Sequence, residues 1–281
     1  MSHVLFAILM ATTAPAKPLP TAGNVPAPVA PVGIAAPVAL DVRQMSDADL
    51  FRKGVTTYSQ AKSIGDYQRA ALFFTTLAER GIKHEELYYN LGNSYYMAGQ
   101  FGYAVFNFER ALKLYPGHTN ARYNLNLARK VIQTRFKDSV VSFGEDPLWI
   151  KIVTWLHLNT LLIFFFAFWV LLFSLLMSLL FLRRGLIRIA AVTSAVIIGV
   201  IAGSFGLILS GRTYYDNAFQ YGIVLNDEIK VRVAPQTAAN TSFTLHAGLR
   251  VRLGSEESAW IKISLPNGME GWVEKVQVGR F

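Results

Sequence analysis

Three patterns of apolar and polar positions follow one another along this chain of 281 residues. Between positions 46 and 137 apolar residues recur at helical spacing, and that pattern is itself repeated. Gly65, Tyr67, Ala70, Phe74 and Leu77 return 34 residues later as Gly99, Phe101, Ala104, Phe108 and Ala111, and Tyr89-Asn90-Leu91 returns as Tyr123-Asn124-Leu125. In the runs 160–182 and 189–210 the polar side disappears, leaving 23 and 22 residues without a charge. At roughly 1.5 Å per residue, each is long enough as a helix to cross a hydrocarbon core of about 30 Å. From 220 to 281 the period becomes two: Ile229-Val231-Val233, Val251-Leu253 and Ile261-Ile263-Leu265 alternate with polar residues. Pro266-Asn267-Gly268 then makes a tight turn into Glu270-Gly271-Trp272-Val273. The patterns predict a helical repeat domain (46–137), a juxtamembrane segment (138–159) and two transmembrane helices (160–182 and 189–210) around a loop (183–188). A linker (211–219) and a small all-β domain (220–281) complete the chain.

A 34-residue period is that of helix-turn-helix repeats, and the segment 85–118 supplies Tyr88, Leu91, Gly92, Tyr95, Ala104, Phe108, Ala111 and Pro116 at fixed spacing. It resembles the tetratricopeptide repeat (TPR). Gly92 and Ala104 let two helices approach, the aromatic rings at 88, 95 and 108 fill the groove between them, and Pro116 stops the second helix. The preceding repeat (49–83) is degenerate, with Gly54, Thr57 and Ala61 at the positions of Tyr88, Leu91 and Tyr95. Ser46 and Asp49 form a capping-box pattern before it. The following repeat keeps only its first helix, 119–134, which is expected to cap the stack with a polar face. By analogy with other TPR arrays, Glu86, Tyr89, Asn93, Tyr96 and Met97 project into the concave face. Asn90 and Asn124, one repeat apart, either form an amide ladder for an extended peptide or satisfy carbonyls between helices.

In the β region, Val231-Arg232-Val233-Ala234-Pro235 precedes the turn Leu245-x-x-Gly248, the strand holding Trp260 and Ile263, and Gly271-Trp272-Val273. That order resembles the bacterial SH3-like (SH3b) domain and implies a small barrel. Trp260 and Trp272 either line a ligand groove or belong in part to the core. The fold class is thus a multi-domain membrane protein: an all-α TPR array, a two-helix transmembrane hairpin and a small all-β SH3b barrel.

Residues 1–16 hold a short apolar core before Ala14-Pro15-Ala16. They read as a secretory signal with an A-x-A cleavage site, although no Lys or Arg precedes the core, or else as a frayed apolar terminus. Residues 17–45 form a Pro/Ala-rich tether; seven of the eleven prolines fall between positions 15 and 37, where they lock φ and remove donors.

Charge changes the picture at one place. The chain carries 27 Lys and Arg against 18 Asp and Glu, a net +9, and three of the excess charges are Arg183, Arg184 and Arg188 in the hairpin loop. Short loops obey the positive-inside rule, so this loop is expected in the cytoplasm and both folded domains on the other side. Trp149 and Trp155 before the first span, and Tyr214 and Tyr215 after the second, stand where interfacial aromatics belong. Residues 110–137 hold seven basic side chains and no acidic one, which fits a surface beside the lipid bilayer; no nucleic-acid partner is indicated. Ala191, Ala195, Gly199 and Gly203 mark a stripe of small residues for close packing on the first span or for a contact between copies.

Candidate chemistry is absent. With no cysteine, disulfides, zinc knuckles and thiol catalysis are excluded. His3, His84, His118, His157 and His246 have no partners at metal-ligand spacing, and no phosphate-binding or dinucleotide loop occurs. Gly203-Ser204-Phe205-Gly206 approaches a nucleophile elbow, yet Ala202 replaces its first glycine and it lies within a span. No catalytic residue, cofactor or metal is expected, and the chain reads as non-enzymatic.

The run Leu87-Tyr88-Tyr89-Asn90-Leu91-Gly92-Asn93-Ser94-Tyr95, then Phe108-Glu109-Arg110-Ala111-Leu112, resembles BatE-type proteins of the Bacteroides aerotolerance operon. Tyr123-Asn124-Leu125 and Phe243-Thr244-Leu245-His246-x-Gly248 share that resemblance, as does the order of signal, TPR, two spans and SH3b. It implies an inner-membrane scaffold or adaptor with periplasmic domains, and von Willebrand A-domain membrane proteins as partners. It also implies a MoxR-type ATPase in the cytoplasm and a role in envelope integrity or stress tolerance. The alternative is a membrane anchor whose barrel binds the peptidoglycan of the cell wall.

Overall fold

The computed structural model describes residues 42–136, 158–182, 185–218 and 220–280. The signal, the tether as far as residue 41, and the segment 137–157 lie outside the described residues. The chain divides into two compact units, one of Met1–Phe143 with Gln220–Phe281 and one of Gly144–Phe219.

Among the described residues of the first unit, five helices run in succession: α1 (Asp47–Gln60), α2 (Ile64–Glu79), α3 (Glu85–Met97), α4 (Phe101–Leu114) and α5 (Thr119–Arg135). Their starts are fixed by side-chain acceptors for the free N–H groups of a first turn. The Asp49 N–H donates to Ser46 Oγ at 3.2 Å. The reciprocal capping box, however, forms at α2, where the Asp66 N–H donates to Ser63 Oγ and the Ser63 N–H donates to the Asp66 carboxylate. Helices α3 and α5 are capped by histidines one repeat apart: the Glu86 N–H donates to His84 Nδ1 and the Ala121 N–H to His118 Nδ1, each at 3.3 Å. Residues 42–45, read as the end of the tether, are docked on the array. Val42 is buried, and the Arg80 guanidinium donates to the Arg43 and Met45 carbonyls at 2.8 Å each.

Two apolar clusters hold the helices together. Leu50, Phe51, Phe74, Leu77, Leu87 and Leu91 form the first, and Tyr88, Tyr96, Phe101, Phe108, Ala121 and Leu125 belong to the second. A Cβ on Gly92 would lie 2.6 Å from the Phe108 ring, and one on Gly54 would lie 2.6 Å from the Phe74 ring. Phe74 precedes Phe108 by 34 residues, but Gly54 precedes Gly92 by 38. The first helix of the degenerate repeat is therefore displaced by about one turn, and Gly54 does from there what Gly92 does in register.

The β region holds β1 (Tyr221–Val224), β2 (Glu228–Arg232), β3 (Thr241–His246), β4 (Arg250–Glu257), β5 (Trp260–Ser264), β6 (Glu270–Glu274) and β7 (Val278–Arg280). All described pairs are antiparallel, in the order β3-β2-β6-β5-β4-β1-β7. The small barrel expected from the sequence is, among the described residues, an open seven-stranded sheet with β3 at one edge beside β2 and β7 at the other beside β1. Register shifts at Val231/Arg232 and Leu253/Glu256 curl it around Ile229, Val231, Leu245, Val251, Ile261 and Ile263. At the open end, β7 lies against α4: a Cβ on Gly279 would meet the Phe106 ring at 2.7 Å.

That contact is part of a wider junction between sheet and repeats. A Cβ on Gly102 would sit 2.1 Å from the Leu225 carbonyl oxygen, and one on Gly248 would sit 2.5 Å from Ile132. The Phe136 ring stacks on His246 at 4.5 Å, and Ile223 joins the second helical cluster. The last helix does not cap the array by itself, as its sequence led one to expect; the sheet covers its apolar end.

The second unit contains α6 (Leu158–Ser178) and α7 (Leu186–Ala218), both long and apolar enough to cross a membrane. Helix α7 continues through most of the expected linker. Leu172 faces Gly199, and Phe165 faces Gly206, so the helices run antiparallel. Phe168 also stacks on Phe205 at 5.6 Å. The small residues at the contact are Ala195, Gly199, Ala202 and Gly206; Gly203, on the expected stripe, faces nothing within 4 Å.

Candidate functional site

Helix α3 carries most of the residues expected on the concave face, and the structure divides them. Glu86 and Met97 are half-exposed. Tyr89, Asn90, Asn93, Tyr96 and Asn124 are buried, none more than 6 % exposed. They lie at the seam where α5 packs on α3, so they are not presented to a ligand. Asn124 Nδ2 donates to Asn93 Oδ1 at 2.8 Å and faces the Tyr89 hydroxyl at 3.5 Å. Asn90 and Asn124 are both buried, and the described bonds of Asn124 run to side chains, where one of the two readings had placed carbonyls. Asn93 Nδ2 and the Tyr96 hydroxyl are buried without a hydrogen-bond partner. Burial pushes the Tyr96 hydroxyl up to about 12, which keeps it a neutral donor.

Around this seam the array is held by polar and ring contacts. The Arg110 guanidinium lies 3.8 Å from the centre of the Tyr88 ring and donates to its own neighbour's hydroxyl, that of Tyr88, at 2.6 Å. Glu86 Oε1 lies 3.4 Å from His118 Nε2, so the first turn of α3 meets the cap of α5. Among the described residues, no group of three or more His, Cys, Asp or Glu is placed to hold a metal ion.

The exposed residues at equivalent repeat positions lie instead on α5. Counting 34 residues on from Tyr89, Asn93, Tyr96 and Met97 gives Tyr123, Leu127, Lys130 and Val131. These fall at i, i+4, i+7 and i+8, one face of a helix. Tyr123 is 62 % exposed, Lys130 is exposed, and Leu127 and Val131 are half-buried. The seam buries each repeat's residues under the next helix, and among the described residues no further repeat follows α5. The signal for these four was present in the sequence, as the repeat period applied once more.

On the sheet, Trp260 and Trp272 occupy the same face, opposite to Ile261, Ile263 and Val273 in the core. Trp272 is paired with Lys262 on one side and with Arg232 on the other, and is half-buried. Trp260, paired with Glu274, is only 8 % exposed, with the Arg232 guanidinium 5.9 Å from its ring centre. Arg232 is held by donation from Nη1 to the Ala239 carbonyl at 2.7 Å. Of the two tryptophans, Trp272 is the more accessible, with two cations beside it.

Residues 85–118 match the family model of the tetratricopeptide repeat, and residues 226–278 match that of the bacterial SH3 domain. No curated protein and no solved structure matches the chain.

Proposed function

We propose that this chain is a non-enzymatic membrane scaffold that binds a segment of a protein partner on the concave face of its repeats, chiefly along α5. The observation that carries the reading is Tyr123, a large aromatic residue 62 % exposed beside Leu127, Lys130 and Val131. Aromatic anchors next to a charged rim are the usual centres of binding energy at protein interfaces. Glu86 and Met97 extend the strip on α3. Matches to the tetratricopeptide repeat and the bacterial SH3 domain support protein or cell-wall binding. Repeats and sheet pack as one unit although both apolar helices lie between them in sequence, which supports a chain that crosses twice and returns to the side it left. The arginine-rich loop supports an extracytoplasmic side for the folded domains of an inner-membrane protein. The resemblance to BatE-type proteins supports a von Willebrand A-domain membrane protein as the partner, in an aerotolerance or envelope-stress system that includes a MoxR-type ATPase.

A second reading, a cell-wall-binding anchor, is favoured by the half-exposed Trp272 between Arg232 and Lys262. One variant tests the first reading on both counts. The chain has no cysteine, so Tyr123→Cys supplies a unique handle. In intact spheroplasts it should react with a membrane-impermeant maleimide, and the labelled protein should lose co-purification with the von Willebrand A-domain partner. Labelling of detergent-solubilised, partner-free protein but none in intact spheroplasts depleted of the partner would reject the topology; labelling without loss of the partner would reject the surface.

A further inference from the structure

The bulge in β4 between Leu253 and Glu256, together with the turn Lys275–Gln277 before β7, leaves a cavity of about 180 Å³ at one end of the sheet. Leu253, Ile261 and Val278 give it an apolar lining drawn from the core, and Glu256, Lys275 and Arg280 surround it with charge. Lys275 Nζ lies 2.6 Å from Glu256 Oε2, while the Arg280 guanidinium pairs with the other oxygen, Oε1. One carboxylate thus serves two cations, and one positive charge is left over. All three side chains are at least 37 % exposed, and ion pairs that open to water contribute little. An incoming carboxylate can therefore share the two cations with Glu256, or replace it, at little cost.

Size and lining narrow the ligand further. Cavities for drug-sized molecules run from about 300 Å³ upward, so this one suits a single small residue. Its lining asks for methyl groups, and its mouth asks for a negative charge a few bonds away. We propose that the cavity receives the free carboxyl terminus of a peptide ending in a small aliphatic residue. The carboxylate lies on Lys275 and Arg280, and the terminal side chain lies on Leu253, Ile261 and Val278. Two sources share that chemistry, the tail of a protein and the stem peptide of a cell wall, and they differ in the handedness of the last residues. The site is separate from the α5 surface and shares no residue with it.

Calorimetric titration of the full chain in detergent tests this with acetyl-Lys-Ala-Ala in its L,L,L form and in a form with two terminal D-alanines. Each is used as the free acid and as the carboxamide. The acid should bind at least about tenfold more tightly than the amide. Lys275→Gln combined with Arg280→Gln should abolish the difference, with an unchanged circular dichroism spectrum. Glu256→Gln should tighten binding of the acid, since it removes the competing carboxylate; a merely structural ion pair would give no such gain. Preference for the L peptide assigns protein tails, and preference for the D peptide assigns stem peptides. Equal binding of acid and amide, or binding of neither, overturns the proposal, and neither result bears on Tyr123.

Discussion

Gly92 and Phe108 meet closely enough that the residue type at position 92 is set by the ring opposite it. A methyl group there would lie 2.6 Å from a ring with no exposed surface, so the ring has nowhere to retreat. Gly92→Ala should gain about 1 kcal/mol in helix propensity and lose about 1–3 kcal/mol to overpacking. The net result is a lower denaturant midpoint at an unchanged slope, and Gly54→Ala should behave alike against Phe74. The buried amides carry a related lesson. Asn93 and Tyr96 look like ligand-binding residues because polar side chains at those positions face the concavity of longer arrays. Here Asn93 accepts from Asn124 inside the seam, and its removal would leave a buried donor unpaired. Substitutions at these positions report stability before they report binding.

At the scale of elements, the hairpin of two long apolar helices separates a pattern in the sequence from a contact in space. Ala191, Ala195, Gly199 and Gly203 are spaced by four, and each such step advances about 40° beyond a full turn of helix. Three steps carry the row about 120° around, off the neighbouring helix. Ala195, Gly199, Ala202 and Gly206, spaced by four, three and four, stay on one face, and this is the row that meets α6. Gly206→Leu should push the helices apart at Phe165 and lower the melting temperature of the hairpin in micelles, while Gly203→Leu should leave it unchanged. Equal effects of the two variants would contradict the packing.

The whole first unit depends on the junction between repeats and sheet. Gly102 faces a backbone carbonyl, that of Leu225, and a Cβ at 2.1 Å cannot be relieved by turning a side chain. Gly102→Ala should therefore loosen the docking without touching either core. Calorimetry of the parent chain should show repeats and sheet melting together, and the variant should show two transitions. Gly65→Ala, whose new methyl group would meet only Ser63 at an ordinary 3.7 Å, is the control. A single transition in the Gly102 variant would mean that the two parts are not energetically coupled.

What the sequence by itself determined is whatever repeats along the chain: the 34-residue period, the two uncharged runs and the alternation of the strands. A side chain's position on a helix or strand follows from its place in the period, so these features need no partner to be read. The exposed face of α5 was also within reach, since Tyr123 stands one period beyond Tyr89. Only the tertiary structure decided that Asn93 and Asn124 are buried, that the sheet stays open, and that it docks on the helices through Gly102 and Phe136. Those outcomes depend on residues such as Phe136 and His246 meeting across two intervening apolar helices, and no local period records which distant surface will cover which.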